Sequence, residues 1–162
     1  MLPFSAPAGE SGMEAFRGSA FAAARDAWER GLSISERRGD KLGAARTLGN
    51  IGMVHSVLGE HADALTTYDR ALTSLEALGD KAGAASVRAS IALAHYALGN
   101  YARALSVNEL ALAAQEALGE KVGAAATLGN IGLVHERLGN WAEAMSAYGR
   151  ALTQQEALRD HA

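Results

Sequence analysis

Nine residues occur twice almost unchanged, TLGNIGMVH at Thr47–His55 and TLGNIGLVH at Thr127–His135, each closing on a histidine. Residues of these types suit two kinds of chemistry. Closely spaced glycines let backbone N–H groups cradle a phosphate, and imidazoles hold metal ions. The phosphate reading needs a strand ahead of the glycines, and no strand-like alternation occurs in the chain. The metal reading must use His55, His95 and His135, which recur every 40 residues. Two imidazoles sharing zinc at ~2.0–2.1 Å each bring their nitrogens within about 3.5 Å. Packed helices lie about 8–10 Å apart, axis to axis. A column of histidines on separate helices does not close on one ion, so these three are expected to be packing groups, with no metal and no cofactor. Cysteine is absent, which removes thiolate sites and disulfides. No nucleophile, base and orienting group form a constellation, so no catalytic residue and no enzyme activity are expected.

The spacing itself has a simpler origin. Residues 39–78 read GDKLGAARTLGNIGMVHSVLGEHADALTTYDRALTSLEAL, residues 79–118 GDKAGAASVRASIALAHYALGNYARALSVNELALAAQEAL, and residues 119–158 GEKVGAAATLGNIGLVHERLGNWAEAMSAYGRALTQQEAL. The register is gapless at 40 residues, within the range of helical repeat arrays. Upstream, Ser19–Arg38 matches the second half of the unit, with Phe21 where His61, Tyr101 and Trp141 stand. The division expected is a flexible tail over 1–10, a partial repeat over 11–38, full repeats over 39–78, 79–118 and 119–158, and a short tail over 159–162. The Arg38-Gly39-Asp40 tripeptide is the turn between units, not an adhesion motif.

Each unit predicts two helices. The first, near Leu42–Val57, follows an N-cap candidate at Asp40 and stops at Leu58-Gly59. The second, near Ala62–Leu78, sets Ala64, Leu65, Tyr68, Ala71, Leu72 and Leu75 at spacings of three and four, an apolar stripe for neighbouring helices. Stacking units bury such stripes. Within this frame Gly52, His55, Gly59, His61, Ala64, Tyr68 and Ala71, and again Gly132, His135, Gly139, Trp141, Ala144, Tyr148 and Ala151, resemble the signature of the tetratricopeptide repeat. The 40-residue period is similar to the long-helix variety of kinesin light chains and Pins-type adaptors. The resemblance implies an all-α fold: a right-handed α-solenoid of antiparallel helix pairs, three full repeats plus one partial N-terminal repeat.

It also implies a ligand-facing concave wall on the first helices, and protein or peptide partners. The positions carried over are Arg46, Asn50, Met53 and Val57, then Ser90, Leu93 and Tyr96, then Asn130, Leu133 and Arg137. Asn50 and Asn130 match an amide that holds a peptide main chain, since it both donates and accepts; Ser90 breaks that ladder. Arg88 stands where Leu48 and Leu128 occur. It is read either as paired with a carboxylate or as an anchor for an acidic ligand.

Composition narrows the class of partner. The net charge is −3 with no basic run, which argues against nucleic acid and against a polybasic membrane patch. No window is apolar enough to span a bilayer, the N-terminus does not read as a secretory signal, and a cytoplasmic location is expected. The alternative to a groove binder is a self-assembling module. Ala144, Met145, Tyr148, Ala151 and Leu152 would have no following unit to cover them, and Met145, Tyr148 and Leu152 are the expected self-association residues, giving homo-oligomers through terminal helices.

Overall fold

The computed structural model describes residues 9–160, with side chains over 17–159. Seven helices follow one another: α1 (Gly9–Arg37), α2 (Lys41–Val57), α3 (His61–Ala77), α4 (Lys81–Ala97), α5 (Tyr101–Leu118), α6 (Lys121–Arg137) and α7 (Trp141–Asp160). No strand occurs among the described residues. Each helix packs on the next in sequence, and the first helices of successive pairs, α2, α4 and α6, also touch one another. Three antiparallel pairs thus stack into a helical solenoid, with α1 laid against α2.

The chain reverses by the same device at each turn. Leu58 ends α2, Gly59 takes φ +79°, and the Gly59 and Glu60 N–H groups donate to the Ser56 and His55 carbonyls at 3.1 and 2.9 Å. That is a Schellman closure, in which a left-handed glycine lets the last carbonyls find donors. Gly39, Gly79, Gly99, Gly119 and Gly139 repeat it. Helix starts are fixed by side chains at two places. Asp40 accepts from the Gly43 N–H at 2.8 Å and Asp80 from the Gly83 N–H at 3.0 Å, whereas Glu120 makes no such bond.

Packing runs along the array instead of into one centre, as stacked repeats require. One cluster joins Ala45 and Leu48 of α2, Ala64, Tyr68, Ala71 and Leu75 of α3, and Ala84, Val87 and Ile91 of α4. A second joins Leu112 of α5, Ala124, Leu128 and Ile131 of α6, and Ala147 and Ala151 of α7. Gly52 serves close approach: a Cβ there would lie 2.6 Å from the Tyr68 ring, and one on Gly132 would lie 2.4 Å from Tyr148. In the middle pair Ala92 replaces the glycine and Asn108 the tyrosine, so a smaller residue meets the added methyl.

Three expectations change. Helix α1 begins at Gly9, inside the stretch read as tail, and runs unbroken through the position where other units turn. There Gly18-Ser19-Ala20 stand where the other units have Leu-Gly-Glu/Asn, so the position of the turn glycine holds Ser19 and nothing forces a reversal. Helix α7 likewise continues through Arg159 and Asp160; the remaining tail residues 1–8 and 161–162 lie outside the described ones. Ala144 and Ala151, expected to be uncovered, are buried, because that side of α7 faces its own partner α6.

Candidate interaction surface

The first helices place their side chains on three sides. Ala45, Leu48 and Ile51 of α2 point into the stack and are buried; Arg46, Asn50, Met53 and Val57, offset by spacings of three and four, share another side. The groove positions expected from sequence fall on that side. Arg46, Asn50, Met53 and Ser90 line one cleft of about 410 Å³ between α2 and α4, with Gly49, Ser86 and the Tyr68 ring also contributing. Tyr96 and Arg137 meet between α4 and α6. The Arg137 Nε donates to the Tyr96 hydroxyl at 2.9 Å, and its guanidinium carbon lies 5.8 Å from the centre of that ring. Tyr101 stands beside Tyr96, centroids 5.5 Å apart. The hydroxyl bond and the neighbouring tyrosines raise the Arg137 pKa, so this cation stays charged at every accessible pH.

Much of the surface's polarity is satisfied internally. Arg46 reaches Asp80 at 3.3 Å, and the Ser90 hydroxyl donates to the Ser86 carbonyl at 3.3 Å. The Gly83 N–H, with Arg46 behind it, holds the Asp80 carboxyl below its ordinary range against the opposing effect of burial. The side-chain amides of Asn50 and Asn130 make no hydrogen bond among the described residues, and both are half-buried. Between these amides run aliphatic groups in the open. Met53, Leu93 and Leu133 occupy the same position on consecutive first helices and are 54, 45 and 40 % exposed, and Val57 is exposed beside them. Isolated exposed aliphatics are ordinary; these three stand in a row on one wall.

Two residues singled out from sequence lie away from this wall, and Arg88 takes the first of its two readings, the carboxylate pair. Arg88 does not belong to this wall. It lies two residues from both Ser86 and Ser90, about 200° round the helix, and lines a separate cleft with Lys81, Ala114 and Leu118, where it pairs with Glu76. Its guanidinium is therefore engaged by the chain's own carboxylate. Tyr148 does not belong to the exposed end. It packs on Gly132, its hydroxyl donates to Glu136 at 2.7 Å, and burial together with that carboxylate pushes its pKa up to about 12. Met145 and Leu152 remain exposed.

The histidine column separates into unlike environments. His55 Nδ1 lies 2.5 Å from Glu60, which also meets Arg25 at 3.3 Å. His95 Nδ1 is buried without a hydrogen-bond partner among the described residues, and burial, reinforced by Arg103, lowers its pKa despite Asp69. His135 faces Asn140 at 3.4 Å. The ligand atoms of His55, Glu60 and Asp63 fall within 4.8 Å of one another. That grouping sits inside one hairpin turn, which a search along the column missed; a five-residue spacing across the Gly59 turn was the available signal. Arg25 already supplies positive charge to Glu60, which makes the group an ion-pair network joining α1 to α2.

Comparison with known proteins bears on the whole arrangement. Residues 81–157 match the tetratricopeptide repeat family. The crystal structure of BtubC (BKLC) from P. vanneervenii superposes with a TM-score of 0.78 at 25% identity over 87% of this chain; the chain spans 59% of that protein's length. Two crystal structures of MamA align with TM-scores of 0.39 and 0.43 at 17% and 16% identity, covering 82% and 96% of this chain and 92% and 99% of theirs. No curated protein sequence matches. No helix among the described residues is long and apolar enough to cross a membrane. The second and third helix pairs thus match the tetratricopeptide repeat family directly, and the first pair is built on the same spacing.

Proposed function

We propose that the protein is a scaffold whose wall of first helices receives a peptide or partner segment. Arrays of this family serve protein–protein contact in general, through the curved surface that stacking creates. The observation that carries the finer reading is the row Met53, Leu93 and Leu133, exposed on consecutive helices and flanked by the open amides of Asn50 and Asn130. Aliphatic side chains supply contact area, and an amide that both accepts and donates fixes a main chain's position. Arg46 and Arg137 are tied to Asp80 and Tyr96, so the wall selects for apolar side chains more than for acidic ones.

The test is capture of partners by the full chain, with the contact mapped by cross-linking. Wild type retains a partner that cross-links to the α2–α4–α6 wall. Leu93→Asp or the pair Asn50→Ala and Asn130→Ala loses it, while helicity and melting temperature hold. Retention of the same partner by both variants rules the wall out.

A further inference from the structure

The two ends of the array are unlike, and the interior shows what each end is shaped for. Between repeats, a second helix lies on the next first helix through three positions spaced four and seven apart. On α3 these are His61, Leu65 and Leu72, with the two leucines packed on the first cluster beside Ala84, Val87 and Ile91 of α4. On α5 they are Tyr101, Leu105 and Leu112, the leucines meeting Ala124, Leu128 and Ile131 of α6. On α7 the same positions hold Trp141, Met145 and Leu152, and these stand 64, 72 and 56 % exposed. This face continues the α3–α4 and α5–α6 interfaces, and it is shaped for a first helix.

Helix α2 is such a first helix. Its Ala44, Ala45, Leu48 and Ile51 reproduce Ala124, Ala125, Leu128 and Ile131 of α6, the surface on which α5 already sits. In the chain that surface is covered by α1, whose three positions are Phe21, Arg25 and Leu32. The fit is poorer. Where α3 and α5 carry leucine, α1 carries Arg25, held by the Glu60 ion pair at 3.3 Å. Helix α1 also has no hairpin partner among the described residues: Trp28, at the position of the buried Tyr68 and Asn108, is 40 % exposed.

We propose that α1 occupies a seat on α2 that fits α7 of a second copy, so that displacement of α1 lets copies stack head to tail. The occupant is a second copy because the interior interfaces supply both halves of the contact. The exchange replaces one helix by another on an existing surface. The contact joins two different faces, so it extends instead of closing into a pair. It does not depend on the groove reading, since the α7 face and the Met53–Leu93–Leu133 wall are different surfaces.

The chain has no cysteine, so single cysteines report cleanly. Full-length Leu152→Cys and Leu48→Cys proteins are oxidised separately and as a mixture. A covalent dimer in the mixture only is expected, because Leu48 becomes reachable from α7 only when α1 leaves it. A dimer in the Leu152→Cys pool alone means that α7 faces α7, and overturns the seat; so does a mixture that stays unlinked. Because Leu48 is buried, a second measurement avoids it. In sedimentation velocity, Leu32→Asp, which loosens α1, raises the average mass with concentration, and adding Met145→Asp and Leu152→Asp returns it to one chain. A Leu32→Asp protein that stays at single-chain mass at every concentration, with α2–α7 still folded, overturns the proposal.

Discussion

At the residue scale, the paired glycines separate packing from propensity. A helix-interior glycine costs about 1 kcal/mol relative to alanine, and forcing extra atoms into a packed site costs about 1–3 kcal/mol. Among the described residues nothing lies within 4 Å of a Cβ added at Gly129, whereas at Gly132 the Tyr148 ring would be 2.4 Å away. Gly129→Ala should therefore stabilise the fold by about 1 kcal/mol. Gly132→Ala should destabilise it by about 1–2 kcal/mol net, and urea midpoints check both. Adding Tyr148→Asn should recover part of the second loss, since the middle repeat already pairs Ala92 with Asn108. His95 gives the pH arm. Its folded pKa is lowered, chiefly by burial, so between that value and the ordinary 6.5 the unfolded chain binds more protons. Stability from neutral His95 is complete above 6.5 and is lost as pH falls below it. The stability gap between wild type and His95→Gln should narrow or reverse on acidification. A gap independent of pH would contradict this account. That Arg46, Asn50, Met53 and Val57 share one side of α2 was legible in the sequence, because register alone places them there. The partners of Arg88 and Tyr148, Glu76 and Glu136, were not legible, because register says which residues are equivalent, and their direction depends on an angle round the helix that the neighbours decide.

At the element scale, the helices were readable almost to the residue because each is bounded by local chemistry. Glycine in the left-handed region ends it, and at two starts an aspartate satisfies the free N–H groups. Asp80 accepts from Gly83 at 3.0 Å and binds Arg46 of the preceding repeat, so it both caps α4 and links two units. Asp80→Ala should cost about 0.5–2 kcal/mol, the usual worth of such a cap. Because the Asp80 pKa is lowered, this contribution is present above the ordinary 3.8 and disappears as pH falls through the folded value. Glu120 occupies the same position before α6 without making the bond. Glu120→Asp, with a side chain one methylene shorter, should gain part of that energy, measured as a rise in melting temperature. Helix α1 was the element least legible. Its second half matched a repeat, but the straight run through Gly18-Ser19-Ala20 follows from a missing turn, and a missing signal gives weaker guidance than a present one.

At the scale of the whole molecule, stability is distributed along a line. Each repeat contacts only its neighbours, so its protection follows from how many sides are covered. Helices α2 to α6 pack against helices on both sides in sequence, whereas α1 packs only on α2 and α7 only on α6. The two interior clusters meet in the middle pair: α4 contributes Ala84, Val87 and Ile91 to the first, and α5 contributes Leu112 to the second. Opening the middle pair breaks both clusters and therefore requires nearly global unfolding. Opening an end helix exposes one face only. Native-state hydrogen exchange should show amides of α4 and α5 exchanging last, with free energies near the global value, and those of α1 and α7 exchanging first through local opening. Helix α1 should open before α7, because Arg25 and an uncovered Trp28 hold it less well than Ala144, Ala147, Tyr148 and Ala151 hold α7 to α6. Denaturant dependence separates the two modes: small slopes at the ends mark local opening, and a slope equal to that of global unfolding marks the centre. Uniform protection across all seven helices would mean that the array unfolds as one cooperative block, and that α1 does not leave α2 without the rest of the fold.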